Sequence, residues 1–140
     1  MYKFSRQSKN KLYTCDGRLI NICEQAIKLI DFSVIFGYRS PAKQLELFKQ
    51  GRDEDFNIID KSKIVTYCDG INKKSNHNYK PSRAMDIIPY PIDWDDTARF
   101  KELAYIVLDI AENNDIKLHW GGNWKWKDYP HFELDKEYFI

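Results

Sequence analysis

The sequence has few cysteines, no long apolar run and no excess of charge of either sign. Its 140 residues include three cysteines, Cys15, Cys23 and Cys68, and none of them forms a CxxC pair. An odd number at these spacings excludes a disulfide framework and a thiolate zinc site. We therefore expect free thiols that are buried or half-buried, as suits synthesis in a reducing cytoplasm.

The charge is nearly balanced. The sequence contains 22 basic and 21 acidic side chains, which gives a formal net charge of +1. A dedicated nucleic-acid-binding protein usually carries a clear basic excess, so we expect no nucleic-acid partner. The locally basic N-terminal stretch, from Lys3 to Lys11, is interpreted as a solvated leading segment.

Apolar stretches are too short to cross a membrane, because a spanning helix needs about 20 consecutive apolar residues. The N-terminal stretch MYKFSRQSKNKLY also lacks the apolar segment of a secretory signal peptide. We therefore expect no membrane insertion.

Hydrophobic residues make up 43% of the chain and aromatic residues 15%, which is enough for a packed core. No repeat or Gly/Ser linker divides the sequence, so we expect residues 1–140 to form a single domain. We also expect this domain to be a monomer.

Apolar periodicity and capping residues predict three helices. Two span residues 19–30 and 97–111, and a third begins at Pro41 after the cap Ser40 and stops near Gly51. Short strands are predicted at residues 33–38, 64–68, 84–88, 117–120 and 131–134, with a long polar loop at 69–83. This pattern predicts an α+β fold, in which a small, mostly antiparallel sheet is packed by a few helices.

The first segment with residues suited to metal binding contains His77, in the polar loop, and Asp86, on the strand at 84–88. A carboxylate in an otherwise apolar strand is costly unless it is paired or bound to a metal. A loop that folds back beside the strand could aim both side chains at one point. On these residues alone, a buried ion pair or a hydrogen bond that braces the loop is the commoner arrangement.

The second segment places Asp128 in a turn, followed by His131 and Glu133 on one face of a strand. Two imidazoles and one carboxylate can form a three-ligand zinc site that leaves a position for water, whose pKa the metal lowers. A carboxylate that is not a ligand must then carry the proton from water to the leaving amine. Asp128 is our candidate, while Glu133 could act instead or could orient a histidine ligand.

Arg39 follows the strand at 33–38 and precedes a helix. A cation there could stabilise the oxyanion that forms when a peptide carbonyl is attacked. An arginine that ties the start of a helix to a surface carboxylate is an equally good interpretation. Of the remaining candidates, His119 is interpreted as a structural histidine. Core packing for Trp120 and a groove wall for Trp124 are equally good interpretations. Trp126 is expected to be exposed or half-buried.

Three segments occur in an order and spacing that resemble a known family: FGYRSPAKQLELFKQGR, SNHNYKPSRAMD and HWGGNWKWKDYPHFEL. Together they closely resemble the M15 zinc peptidases, which include D-alanyl-D-alanine carboxypeptidases, dipeptidases and phage L-alanyl-D-glutamate endopeptidases. The resemblance extends from Leu12 to the C-terminus and implies a hedgehog/DD-peptidase-like fold. The interval from His77 to Asp86 is nine residues, against seven in much of the family, which indicates a longer loop.

By this resemblance, one zinc ion per chain has three ligands, His77, Asp86 and His131. The catalytic carboxylate is Asp128, the transition-state arginine is Arg39, and the substrate-binding positions are Ser75 and Gln44.

The sequence most resembles the compact phage endolysins, with no separate wall-binding domain. That implies cleavage of the L-Ala–D-Glu bond of peptidoglycan stem peptides. It also implies synthesis in the host bacterial cytoplasm and release through a holin-made lesion. Two alternatives remain: a D-alanyl-D-alanine carboxypeptidase or dipeptidase of the same family, and a catalytically silent zinc module that binds wall peptides.

Overall fold

The computed structural model describes residues 1–140, which contain four α-helices and one four-stranded sheet. The helices are α1 (Arg6–Leu12), α2 (Gly17–Ala26), α3 (Pro41–Phe48) and α4 (Thr97–Asn113). The strands are β1 (Phe32–Phe36), β2 (Ala84–Pro89), β3 (Leu118–Trp120) and β4 (His131–Leu134). The sheet order is β1-β2-β4-β3, and every neighbouring pair is antiparallel. The predicted α+β class is therefore confirmed.

The helices begin where the sequence supplies a cap. The side chains of Asp16, Ser40 and Asp96 each accept a hydrogen bond from a backbone N–H in the first turn of α2, α3 and α4. These bonds satisfy donors that have no partner within the helix. Pro41 occupies the first turn of α3, where its missing N–H costs nothing.

The hydrophobic core lies between the sheet and the helices α2 and α4, and it comprises 20 buried residues. On β4, Phe132 and Leu134 enter this core. Because side chains alternate along a strand, His131 and Glu133 face the opposite side of the sheet. The packed core thus fixes the position of the strands, and the opposite face of these strands carries the polar residues.

Cys15 and Cys23 are buried in the same region and Cys68 is half-buried, all three as free thiols, as expected. None of the helices is long and apolar enough to span a membrane.

One sequence prediction of local structure is wrong, and one helix was not predicted. Residues 64–68 form no strand, because side chains rather than a neighbouring strand satisfy their backbone: Gln44 Nε2 donates to Cys68 O at 2.9 Å and Arg52 Nη1 to Thr66 O at 3.2 Å. The basic side chains of the N-terminal stretch, Lys3, Arg6, Lys9 and Lys11, are exposed, but the stretch is also partly helical. It contains α1, whose Ser8 Oγ accepts a hydrogen bond from Val34 N of β1 at 3.0 Å.

Gly37 lies immediately after β1, against the turn that follows α1. A methyl group at this position would overlap Lys11 O and Thr14 Oγ1 and crowd Cys15 Sγ. We predict that Gly37→Ala lowers the free energy of unfolding by about 1–3 kcal/mol, the usual cost of overpacking a tight contact. Urea denaturation followed by circular dichroism measures this change.

Gly17→Ala is the matched control, because nothing lies within 4 Å of an added Cβ there and the residue begins α2. This variant should unfold at the same or a slightly higher urea concentration. Equal stability of the two variants would contradict the close packing assigned to Gly37.

Candidate metal centre

Three chain segments bring His77, Asp86 and His131 together. Asp86 on β2 lies directly opposite His131 on β4 in the antiparallel register. His77 lies in a short 3-10 helix, Asn76–Asn78, which packs beside β2. The loop that carries His77 therefore folds back beside the strand that carries Asp86, as the sequence suggested it could.

Hydrogen bonds hold His77 from both its ring and its backbone. Its Nδ1 lies 2.8 Å from Gly37 O, so the ring must donate from Nδ1 and leaves Nε2 as the free lone pair. Ser75 caps the turn by accepting from His77 N at 3.2 Å. Arg39 N donates to His77 O at 2.8 Å. His77 is 1% exposed, so this orientation is fixed.

His131 is oriented from the other side. Its Nε2 lies 2.7 Å from Glu133 Oε1, and the second oxygen of Glu133 accepts from Asn76 Nδ2 at 2.8 Å. A carboxylate at this distance requires His131 to donate from Nε2, which directs Nδ1 toward Asp86. Asn76 neighbours His77, so this chain of contacts also links the two histidine-bearing segments.

The inward-facing atoms of His77, Asp86 and His131 form a small triangle of side chains, in which the two histidines face different oxygens of Asp86. His77 Nε2 lies 3.3 Å from His131 Nδ1 and 3.3 Å from Asp86 Oδ2, and His131 Nδ1 lies 3.2 Å from Asp86 Oδ1. A tetrahedral zinc site with bonds of about 2.0–2.1 Å has ligand-to-ligand edges of about 3.3–3.4 Å. The residues therefore fit a zinc ion, and they leave the fourth corner of the tetrahedron for another group.

Electrostatics keep the aspartate of this triangle ionised. Burial alone would raise the pKa of Asp86, but the charges and hydrogen bonds of His77 and His131 hold it well below the usual range. Burial would lower the pKa of His131, whereas hydrogen bonds to Asp86 and Glu133 raise it to about 10. A divalent cation would take over from the protons that balance these carboxylates.

Asp128 lines the same cavity, and its carboxylate accepts no hydrogen bond from the protein. Its backbone is held by Gly121, whose carbonyl accepts from Asp128 N at 3.0 Å. A Cβ on Gly121 would overlap Asp128 O, so only glycine permits this approach. Burial and the charge of Asp86 raise the pKa of Asp128. By contrast, both oxygens of Glu133 are already bonded.

Arg39 lies at the edge of the triangle, 8% exposed. Its Nη2 donates to Asp86 Oδ2 at 3.1 Å and its Nη1 to Gln44 Oε1 at 3.0 Å, while Nε has no partner. The guanidinium is therefore bound to a buried carboxylate of the centre and not to a surface one.

Gln44 does not occupy the position expected of a substrate-binding side chain. It is 0% exposed and does not line the cavity. Its oxygen accepts from Arg39 and Asn78, and its nitrogen donates to Thr66 Oγ1 and Cys68 O. Because all its hydrogen-bonding positions are filled, Gln44 supports Arg39 and the segment at 64–68 from beneath. Ser75 does line the cavity.

The triangle opens into a cavity of about 660 Å³ with a mixed polar and apolar lining. Trp124 lines this cavity, with its ring centroid 5.1 Å from that of His131. Trp126 also lines it, and its ring centroid lies 5.7 Å from that of Tyr67.

Trp120 is buried in the core. His119 bonds Asp135 at 2.7 Å on the exposed surface, outside the cavity, as expected of a histidine that is not a ligand.

Sequence reasoning missed three parts of this site: Asn76, the Gly37 carbonyl and the cavity wall at 64–68. Asn76 adjoins His77, but its partner Glu133 lies 57 positions away, and only the folded structure reveals the contact. A backbone acceptor such as Gly37 O leaves no trace in side-chain chemistry.

Comparison with known proteins places this geometry in a family. The chain is similar to the peptidoglycan L-alanyl-D-glutamate endopeptidase CwlK of Bacillus subtilis (strain 168), with 36% identity over 118 residues. The match covers 78% of this chain and 64% of that relative's length. The crystal structure of the Serratia marcescens L-Ala D-Glu endopeptidase ChiX superposes with a TM-score of 0.72 at 25% identity, covering 98% of this chain and 93% of ChiX. The family model described as phage L-alanyl-D-glutamate peptidase matches residues 1–139, and the chain therefore belongs to this family.

Proposed function

We propose that this chain is a zinc-dependent endopeptidase that cleaves the L-Ala–D-Glu bond of peptidoglycan stem peptides. The proposal is carried by the His77–Asp86–His131 triangle, whose ligand atoms all lie within 4.8 Å of one another at the wall of a cavity. The same cavity also holds Asp128, a carboxylate without hydrogen-bond partners. The activities named for CwlK and ChiX support the choice of bond.

The metal is one zinc ion per chain. Two imidazole nitrogens and one carboxylate oxygen are ligands that zinc accepts, and a catalytic zinc site keeps one position open. Bound zinc would supply a Lewis acid for a peptide carbonyl and would make water acidic enough to react near neutral pH.

Asp128 is the residue that moves the proton. It borders the cavity, its carboxylate has no competing hydrogen bond, and a raised pKa makes it a better proton carrier near neutral pH. Asp128 accepts a proton from the attacking water and gives it to the leaving nitrogen. Glu133 is less suited to this role because His131 and Asn76 already bond both of its oxygens.

Arg39 supplies fixed positive charge where the carbonyl oxygen becomes negative. Its guanidinium lines the cavity beside the triangle and is anchored by Asp86 and Gln44, so little reorganisation is needed during the reaction. Ser75 lines the same cavity and could contact the substrate backbone.

We propose that residues 1–140 act as one catalytic unit in phage-mediated lysis. In this proposal the protein is made in the host cytoplasm and reaches the wall through a membrane lesion. The family's description as a phage peptidase supports this setting.

The orientation of His131 by Glu133 gives a prediction about metal affinity. Glu133→Gln keeps the size of the side chain but removes the charged acceptor of His131 Nε2–H. Loss of such an outer partner typically weakens metal binding by about 10–100-fold. Competition titration with a fluorescent zinc chelator measures the affinity directly.

Glu137→Gln is the matched control, because Glu137 is exposed and pairs only with Lys117 on the surface. This variant should bind zinc like the wild type. Wild-type zinc affinity in Glu133→Gln would remove Glu133 from its positioning role.

Mass spectrometry of peptidoglycan digested by the zinc-loaded protein tests the activity. We expect released stem peptides that begin with D-Glu and glycan strands that retain L-Ala. Released D-alanine alone would indicate a carboxypeptidase instead. No product from a protein with one bound zinc would favour a silent binding module.

In the same digestion, Asp128→Asn should retain zinc while the rate falls by about 10²–10⁴-fold, the range of general acid–base contributions. Nearly normal turnover with zinc bound would exclude Asp128 as the proton carrier.

A further inference from the structure

One arginine and two lysines line the cavity, and of these three only Lys127 has no partner. Arg39 is bonded to Asp86 and Gln44. The Lys74 ammonium lies 5.3 Å from the centre of the Tyr79 ring, within cation–π range. Lys127 makes no ion pair, side-chain hydrogen bond or aromatic contact, and is therefore free to bind an anion.

The position of Lys127 is tied to that of Asp128, the next residue. The Asp128 backbone is fixed at both ends, since its N–H donates to Gly121 O at 3.0 Å and its carbonyl accepts from His131 N at 3.2 Å. Both side chains line the same cavity. In the proposed mechanism Asp128 protonates the leaving nitrogen, so Lys127 lies on the side of the cavity that receives the leaving half of the substrate.

That half of the substrate carries an anion. The leaving nitrogen of an L-Ala–D-Glu bond belongs to D-glutamate, which has two carboxyl groups, and only one of them can continue the peptide. The other is a free carboxylate a few bonds from the scissile nitrogen. An ionised Asp128 would repel this carboxylate at close range, so binding requires a compensating cation.

We propose that Lys127 binds the free carboxylate of the D-glutamyl residue, and that this subsite makes the enzyme prefer stems whose carboxylate is not amidated. The inference rests on the proposed L-Ala–D-Glu activity and names the part of the substrate that the chain recognises. The Lys127 ammonium pairs with the anion while Asp128 remains available for the proton.

Two synthetic stem peptides test the subsite, identical except that the free carboxylate of D-glutamate is replaced by a carboxamide in one. Their kcat/KM values are compared for the zinc-loaded wild type and the Lys127→Met variant. We expect the wild type to prefer the acid by about five- to tenfold, as for a partly solvated ion pair with a hydrogen bond. Lys127→Met should reduce the ratio to about one, and added salt should reduce the wild-type ratio.

Lys125→Met is the matched control, since Lys125 is exposed two residues away but does not line the cavity. It makes the same change in net charge and should keep the wild-type ratio. An unchanged ratio in Lys127→Met, an equal loss in Lys125→Met, or a loss only in Lys74→Met would overturn the assignment while the endopeptidase activity stands. If the wild type cleaves neither peptide, the proposed function itself fails.

Discussion

The direct pairing of Asp86 with His131 across β2 and β4 is the constraint on which the site depends. In an antiparallel ladder, opposed side chains on one face are held about 4.5–5.5 Å apart at Cβ, so the pairing fixes two ligand positions without any loop. The register is in turn fixed by Phe132 and Leu134, which must enter the core. A one-residue slip would turn His131 into the apolar core and Phe132 onto the polar face. The hydrophobic core thus determines the geometry of the polar face.

The third ligand comes from a loop and needs more support. His77 is held by the Gly37 carbonyl, by the Ser75 cap and by Arg39 N, which together connect it to the end of β1. Asn76 then bonds Glu133, which orients His131. The two histidines therefore donate outward to fixed acceptors, and their remaining lone pairs converge on one point. Most of the order needed to bind a metal is already present in the folded chain, which reduces the entropy lost on binding.

Much of this arrangement could be predicted from the sequence. Cap residues and apolar spacing predicted α2, α3 and α4, and alternation placed His131 and Glu133 on one face of β4. The resemblance to a peptidase family supplied the three candidate ligands. Two kinds of feature could not be predicted. Contacts between distant segments, such as Asn76 with Glu133, depend on how the 3-10 helix packs beside the sheet. Side-chain bonds to backbone, such as those from Gln44 to Cys68 O and from Arg52 to Thr66 O, give the segment at 64–68 an irregular conformation in place of the strand that its apolar sequence predicts.

We expect His77, Asp86 and His131 to bind one zinc ion in the arrangement they already adopt. X-ray absorption spectroscopy at the zinc edge of the loaded protein tests this most directly. We predict one zinc per chain with four nitrogen or oxygen neighbours at about 2.0–2.1 Å, of which two are imidazoles. His77→Ala should lose this signature. A sulfur neighbour, which Cys68 in the cavity wall could provide, or a spectrum unchanged by His77→Ala, would contradict this set of ligands.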